Sequence, residues 1–91
     1  MIRGFKCKKT ERLFNGVRVP AFSGFKRQAE KRLRILDASE TLTTLKALPS
    51  NRFEALTGDR AGSYSIRVNK QWRVCFTWDE GAQEVEIVDY H

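Results

Sequence analysis

The second half of the chain alternates apolar and polar residues with a period of two. The alternation runs through SYSIRV, QWRVCFTW and, after a DEGA turn, EVEIV. Successive side chains of a strand point to opposite faces of a sheet, so this pattern predicts three β-strands. The short connections between them favour antiparallel pairing.

The loop between the first two strands decides which residues face each other. A two-residue turn would put their apolar sets on opposite faces, whereas a three-residue loop, Asn69–Gln71, pairs Ile66 with Val74 and lets both sets meet one core. This register sets Arg67 opposite Arg73 on the polar face. Like charges directly across a ladder destabilise it. Either solvent screens the two guanidinium groups, or an anion such as a phosphodiester lies between them.

The turn before the third strand fixes a second register. A four-residue turn at Asp79–Ala82 brings two apolar pairs together, Phe76–Val85 and Val74–Ile87. A straight strand then places Tyr90, but not His91, on the face that carries the arginines. His91 has to pass the end of the strand to reach them.

The first half of the chain shows helical spacing instead. In FSGFKRQAEKRLRILDAS, apolar residues recur at positions 25, 29, 33 and 36 and predict an amphipathic helix. KKTERLF predicts a short helix that stops before Gly16, and Ser39 is placed to cap a third one. Met1–Lys6 predicts a short strand. Residues 1–91 are therefore expected to form a single α+β domain, with an N-terminal strand and helices packed on a small antiparallel sheet.

Charge is the next informative feature. Seventeen Lys and Arg residues against eleven Asp and Glu residues give a net charge of +6, and such a surface attracts polyanions such as RNA. Arg27, Lys31 and Arg34 share one face of the amphipathic helix and form a basic stripe. A stripe of this kind either is simply solvated or faces ribosomal RNA.

Several classes of site are disfavoured. With two distant cysteines and one histidine, the chain lacks the ligands of a zinc centre, so we expect chemistry without a metal or another cofactor. Each cysteine is expected to fill a core position. No apolar run approaches the roughly 20 residues of a membrane span, and the opening residues do not resemble a signal peptide. A cytoplasmic protein without a membrane partner is the expectation.

One set of residues could cleave RNA without a metal. The reaction needs a base for the 2′-OH, cations for the charged phosphorane and an acid for the departing 5′-oxygen. Glu54, Arg73 and His91 fit these roles, and Tyr90 could orient or stack on a base. Taken alone, Glu54 could equally be an ordinary surface carboxylate, and Tyr90 could simply pack on the sheet.

The stretch NRFEALTGDRAGSYSIRVNKQWRVCFTW, followed by VEIVDYH, resembles the HigB branch of the RelE/ParE toxin superfamily. The resemblance implies a RelE-like fold with the order β-α-α-β-β-β. It also implies a type II toxin that enters the ribosomal A site and cleaves messenger RNA there. The implied partner is a HigA-like antitoxin with a helix-turn-helix domain, through which alone the toxin would meet operator DNA.

The resemblance also assigns roles to individual residues. Arg73 matches the phosphate-contacting arginine of the family, and Asp89, Tyr90 and His91 match its C-terminal functional residues. Glu54 stands where some members carry histidine, and a similarly placed glutamate is the general base of YoeB-like relatives. Among the remaining cations, contact with RNA or the ribosome is expected of Arg60, Arg67, Arg27, Lys31 and Arg34. Thr57 departs from the lysine that many members have before GDR, which removes one cation near the phosphate.

Two other functions remain open from sequence. A ParE-like protein poisons gyrase and cleaves no RNA, but it does not need a Glu, Arg and His set, so EIVDYH counts against it. A non-catalytic basic module would act only by binding RNA or a partner protein.

Overall fold

The structure is a computed structural model and describes residues 1–90. In this range the helices are α1 (Lys8–Phe14), α2 (Lys26–Ala38) and α3 (Leu42–Ala47), and the strands are β1 (Glu54–Ala55), β2 (Ser63–Arg67), β3 (Trp72–Trp78) and β4 (Ala82–Asp89). Short 3-10 turns lie at Pro20–Phe25, Pro49–Asn51 and Gly58–Arg60. The strands form one antiparallel sheet in the order β1-β2-β3-β4, which confirms the predicted α+β architecture.

The two ends of the sheet differ from the sequence prediction. The predicted N-terminal strand is present only as two isolated bridges, which join Ile2 to Ala82 and Phe5 to Val85 of β4 in parallel. At the other edge, β1 adds a strand that the periodicity did not predict. Two residues are too few to show a period, so this strand is defined by its pairing with β2.

The β2–β3 hairpin has the predicted register. Ile66 pairs with Val74 and Arg67 with Arg73. The side-chain oxygen of Asn69 accepts hydrogen bonds from the backbone N–H groups of Gln71 and Trp72, both at 2.8 Å. Asparagine is a common turn residue because its side chain can bond to the backbone in this way. The predicted loop is therefore held by its own first residue.

The register of β3 and β4 was predicted correctly only far from their turn. Val74 pairs with Ile87 as expected, but Trp78 pairs with Ala82, and a bulge separates the two regions of the ladder. The predicted pair of Phe76 and Val85 falls in this bulge and is not formed. Gly81 has φ +142°, and a Cβ atom there would lie 2.7 Å from the Met1 carbonyl oxygen. The N-terminal segment thus packs directly on the turn.

Helix α2 provides most of the helical contribution to the core. Ala29, Leu33 and Leu36 are fully buried, as their spacing predicted. The helix begins at Lys26 because the preceding residues, Pro20–Phe25, form a 3-10 turn. Phe25 lies on this turn and stacks on Trp72, with ring centroids 4.7 Å apart.

The cap of α3 is Thr41 and not the predicted Ser39. Thr41 Oγ1 accepts a hydrogen bond from the Thr44 N–H at 3.2 Å. Ser39 instead ends α2, where its hydroxyl donates to the Ile35 carbonyl oxygen at 2.8 Å. Ser39 and Thr41 both carry a hydroxyl near the start of α3, and Thr41 is the one whose hydroxyl reaches a free N–H of that helix.

Replacing Thr41 with alanine is expected to lower the free energy of unfolding by about 1 kcal/mol, because a helix N–H loses its acceptor. Urea unfolding of the purified variant measures this loss. Thr43→Ala is the matched control, since Thr43 lies exposed inside the same helix. Equal stability of the two variants would contradict the capping role.

The two faces of the sheet have different environments. Ile66 and Val74 point into the apolar core beneath α2 and are fully buried. The neighbouring positions, Arg67 and Arg73, point to the opposite face, which the helices leave uncovered. Within residues 1–90, no helix is both long enough and apolar enough to cross a membrane.

Candidate functional site

A basic groove of about 300 Å³ lies on the polar face of the sheet, and we call it the arginine groove. Its lining residues come from β1 and the turn before it, the β2–β3 hairpin and the segment after β4. They are Arg52, Glu54, Arg67, Asn69, Lys70, Arg73 and Tyr90. Among the described residues, four cations and one carboxylate therefore line the groove. Such a surface suits an anionic chain.

Arg73 forms the floor of this groove and is buried, with 8% of its surface exposed. Its Nε donates to Ser65 Oγ at 2.7 Å, and its Nη2 donates to the carbonyl oxygens of Arg52 and Ser65. Of the two alternatives for the facing arginines, screening by solvent therefore does not apply to Arg73, which is buried. The Tyr90 ring lies over the guanidinium, and acceptors on Ser65 and Arg52 replace water around it.

The predicted pairing of Arg67 with Arg73 is confirmed. Arg67 Nε donates to the Asn69 carbonyl oxygen at 3.1 Å, so each guanidinium has its own acceptor in the protein. These acceptors offset the repulsion between like charges. Each guanidinium thus has a protein acceptor, and both cations line the groove.

Glu54 lies beside Arg73 at the edge of the sheet. It pairs with Ser65 of β2, and its Oε1 is 3.9 Å from Arg73 Nη1. About half of the Glu54 side chain, 52%, is exposed. The carboxylate is thus close to the cation but too far for a direct hydrogen bond, and it remains accessible from the groove.

Tyr90 closes the groove at the end of β4. Its ring lies over the Arg73 guanidinium, 5.7 Å from Cζ to the ring centroid, as expected from the predicted register. Its backbone N–H donates to the Gln71 carbonyl oxygen at 2.7 Å, which ties the segment after β4 to the hairpin. The remaining candidate, His91, lies outside the described residues.

Arg60 and Asp89 do not line the arginine groove. They line a second groove of about 250 Å³, which shares Tyr90 with the arginine groove. Arg60 forms an ion pair with Glu86 at 3.2 Å, and Asp89 accepts a hydrogen bond from Gln71 Nε2 at 3.0 Å. Arg60 and Arg67, which are both predicted to contact RNA or the ribosome, therefore line different grooves that share Tyr90.

Cys75 also lines this second groove, although only 3% of it is exposed. Burial raises the pKa of its thiol, which keeps it protonated and unsuited to nucleophilic attack. Cys7 is only partly buried and precedes α1. The prediction of a core position therefore holds for Cys75 alone. Within residues 1–90, no group of three or more potential metal ligands occurs.

The basic stripe lies on the other side of the molecule. Arg27, Lys31 and Arg34 are exposed on α2, and this helix packs on the apolar face of the sheet. The stripe and the arginine groove therefore occupy opposite sides of the sheet.

Sequence reasoning missed three contributors to the site. Arg52 supplies a carbonyl acceptor and a side chain at the groove, Lys70 adds a cation in the hairpin loop, and Ser65 holds Arg73. The strand alternation could have indicated Ser65, which shares a face with Arg67 two positions later. No sequence pattern indicates that a backbone carbonyl contacts a side chain 21 positions away.

The chain folds as a small basic α+β protein with a predominantly cationic groove on one face of its sheet. Over residues 4–91 the sequence matches the family model described as RelE-like toxin of type II toxin-antitoxin system HigB. The chain therefore belongs to the HigB-like toxin family.

Individual relatives show the same similarity. The chain is 44% identical over 61 residues to Toxin HigB-1 of Vibrio cholerae, an alignment that covers 67% of this chain and 64% of that protein. It is 33% identical over 61 residues to an uncharacterized protein of Haemophilus influenzae, with 67% and 60% covered. The chain thus spans less than two thirds of the length of either relative.

Proposed function

We propose that this HigB-like toxin is a ribosome-dependent endoribonuclease that cleaves messenger RNA in the ribosomal A site. The observation that carries the proposal is the carboxylate of Glu54 placed 3.9 Å from the Arg73 guanidinium in an otherwise cationic groove. The cations attract the phosphate, and the exposed carboxylate is available as a base. Membership of the HigB-like family supports the same activity.

The reaction begins at the ribose 2′-OH. Glu54 takes its proton, and the 2′-oxygen attacks the adjacent phosphorus atom to form a phosphorane. Arg73 stabilises the added negative charge, with Arg67 beside it across the ladder. The bond from phosphorus to the 5′-oxygen then breaks, and that oxygen leaves with a proton. The products are a 2′,3′-cyclic phosphate and a 5′-hydroxyl end, and no metal takes part.

Two roles rest on the family resemblance. His91 is assigned as the acid that protonates the 5′-oxygen, and this assignment stays a prediction. Tyr90 is assigned to contact the message, and its partly exposed ring beside Arg73 suits that role. Asp89 lines the second groove with Tyr90, so we assign it to support of this segment and not to the reacting atoms.

Family membership also suggests the partners. A toxin of a type II system acts against an antitoxin, and we propose a HigA-like antitoxin with a helix-turn-helix domain that also binds operator DNA. The toxin itself meets DNA only through this partner. Because its substrate is a message on a ribosome, the proposed compartment is the cytoplasm.

The decisive test uses purified protein and ribosomes programmed with a defined message. We expect a single cut in the A-site codon, with a cyclic phosphate on the upstream product. A message with one 2′-deoxynucleotide at the cut position should resist cleavage there, because the attacking oxygen is gone. Cleavage of the deoxy message would contradict the mechanism.

The same preparation separates the other functions. Gyrase-dependent DNA breaks without cleaved message would favour a ParE-like activity. Ribosome binding without cleavage would favour a non-catalytic binding module. Either outcome would overturn the proposal.

The basic stripe is expected to hold ribosomal RNA. Changing Arg27, Lys31 and Arg34 together to glutamine should weaken ribosome binding and reduce its dependence on salt, because fewer counterions are released. The cleavage rate at saturating ribosome should change little, since the stripe lies across the sheet from the arginine groove. Filter binding across a salt titration measures the first effect.

The matched control removes the same charge from α1. Lys8, Lys9 and Arg12 are also exposed, and their triple glutamine variant lowers the net charge equally. Equal weakening by the two triple variants would show that net charge, and not the stripe, controls binding.

A further inference from the structure

The guanidinium of Arg73 lies in a set of protein acceptors, which we call the arginine cradle. The cradle consists of Ser65 Oγ and the carbonyl oxygens of Ser65 and Arg52. These acceptors take the hydrogen bonds of Nε and Nη2. Nη1 lies 3.9 Å from Glu54 Oε1, and both residues line the arginine groove.

Ser65 occupies the centre of this arrangement. It is fully buried, with 0% of its surface exposed, and it pairs with Glu54 on one side and Cys75 on the other. A buried hydroxyl costs free energy unless it is hydrogen-bonded. Its bond of 2.7 Å to Arg73 meets this requirement and fixes one edge of the guanidinium plane.

The backbone at Arg52 also fixes the position of the Arg73 guanidinium. Arg52 is left-handed, with φ 46° and ψ 48°, a conformation that is uncommon outside glycine. Buried Asn51 holds the preceding turn, because its Nδ2 donates to the Leu45 carbonyl oxygen and its Oδ1 accepts from Arg32 Nη1. A fixed, strained turn thus directs the Arg52 carbonyl oxygen at Arg73. Such strain is characteristic of functional sites.

We propose that Ser65 is a positioning residue for the reaction: it orients Arg73 so that Nη1 faces the scissile phosphate and keeps its 3.9 Å distance from Glu54 Oε1. This inference rests on the proposed function. Without Ser65 Oγ, Nε loses its acceptor in a buried site. The guanidinium can then turn towards the Glu54 carboxylate, and a closer ion pair would hold both groups away from the substrate. Electrostatic catalysis depends on groups that are oriented before the reaction.

The test uses three replacements at this position. Ser65→Ala removes the hydroxyl, Ser65→Cys keeps its volume but is a weak acceptor, and Ser65→Thr keeps the hydroxyl. Alanine and cysteine are expected to lower the maximal cleavage rate by about 10- to 100-fold, the scale of a small misplacement of a catalytic group. The ribosome concentration for half-maximal rate should stay within about twofold, because no substrate contact is lost. Threonine should restore most of the rate.

A double variant shows whether Ser65 acts through Arg73. In an Arg73→Ala background, Ser65→Ala should cause no further loss, because the group that it orients is absent. If Ser65 only supported the fold, the rate losses of the two single variants would instead multiply in the double variant. The inference fails if either single variant cleaves within about threefold of wild type, or if the losses multiply.

A spectroscopic measurement gives an answer even without cleavage. The Arg73 Nε–H resonance, identified by its absence in Arg73→Lys, should exchange slowly in wild type and Ser65→Thr and rapidly in Ser65→Ala and Ser65→Cys. Unchanged exchange in a folded Ser65→Cys variant would overturn the inference. A wild-type protein with a protected resonance but no cleavage would refute the proposed function while leaving the cradle in place.

Discussion

Replacing Arg73 with alanine is expected to lower the cleavage rate by about 10²–10³-fold, the usual loss when one charge-stabilising donor is removed. Single-turnover cleavage on programmed ribosomes measures this effect. The same change should lower the free energy of unfolding by about 1–3 kcal/mol, because it leaves buried acceptors without a donor. The expected loss of stability is therefore larger than for an arginine exposed on a polar face.

Two further variants make the interpretation specific. Arg73→Lys keeps the charge but loses the planar fork, so it should restore only part of the rate. Arg18→Ala removes an exposed arginine away from the groove and should leave both cleavage and stability unchanged. Cleavage by Arg73→Ala near the wild-type rate, at unchanged ribosome binding, would exclude a catalytic role for Arg73.

Replacing Glu54 with glutamine is expected to lower the rate of the chemical step by about 10²–10⁴-fold, the typical contribution of a general base. Glutamine has nearly the same shape, but its amide cannot take the 2′-OH proton at neutral pH. Stability should change little, because the carboxylate is half exposed and its 3.9 Å approach to Arg73 is long. The measurement is again single-turnover cleavage, with urea unfolding as the check on folding.

Glu11→Gln provides the matched carboxylate control, since Glu11 lies exposed on α1. It removes the same charge and should cleave at the wild-type rate. If Glu54→Gln also cleaves at that rate, another group is the base, and Glu54 is the ordinary surface carboxylate that its exposure allows.

The parts of the fold that sequence predicted are those with a strong local pattern. The spacing of Ala29, Leu33 and Leu36 predicted the buried face of α2, and all three are fully buried. Parity of the apolar positions predicted that Arg67 faces Arg73, because only one register buries both apolar sets. Each of these inferences depends on side-chain periodicity, which the sequence displays directly.

The parts that sequence missed depend on contacts between distant residues. Thr41 and not Ser39 caps α3, because the end of α2 uses the Ser39 hydroxyl. The bulge between β3 and β4 lies near a turn that packs against the N-terminal segment, a contact between distant parts of the chain. Burial of Arg73 depends on the Arg52 carbonyl oxygen, whose direction follows from a turn that no local pattern predicts.

The contacts between the first residues of the chain and β4 also affect when the toxin becomes active during synthesis. Thr10 Oγ1 accepts from the Ile87 N–H across 77 positions, and Ile2 bridges to Ala82. Contacts between such distant residues form slowly, because a long loop must close first. A nascent chain that has not yet produced β4 therefore lacks both this edge of the sheet and Tyr90, which lines both grooves. Products of interrupted translation are consequently expected to be harmless to the cell that makes them.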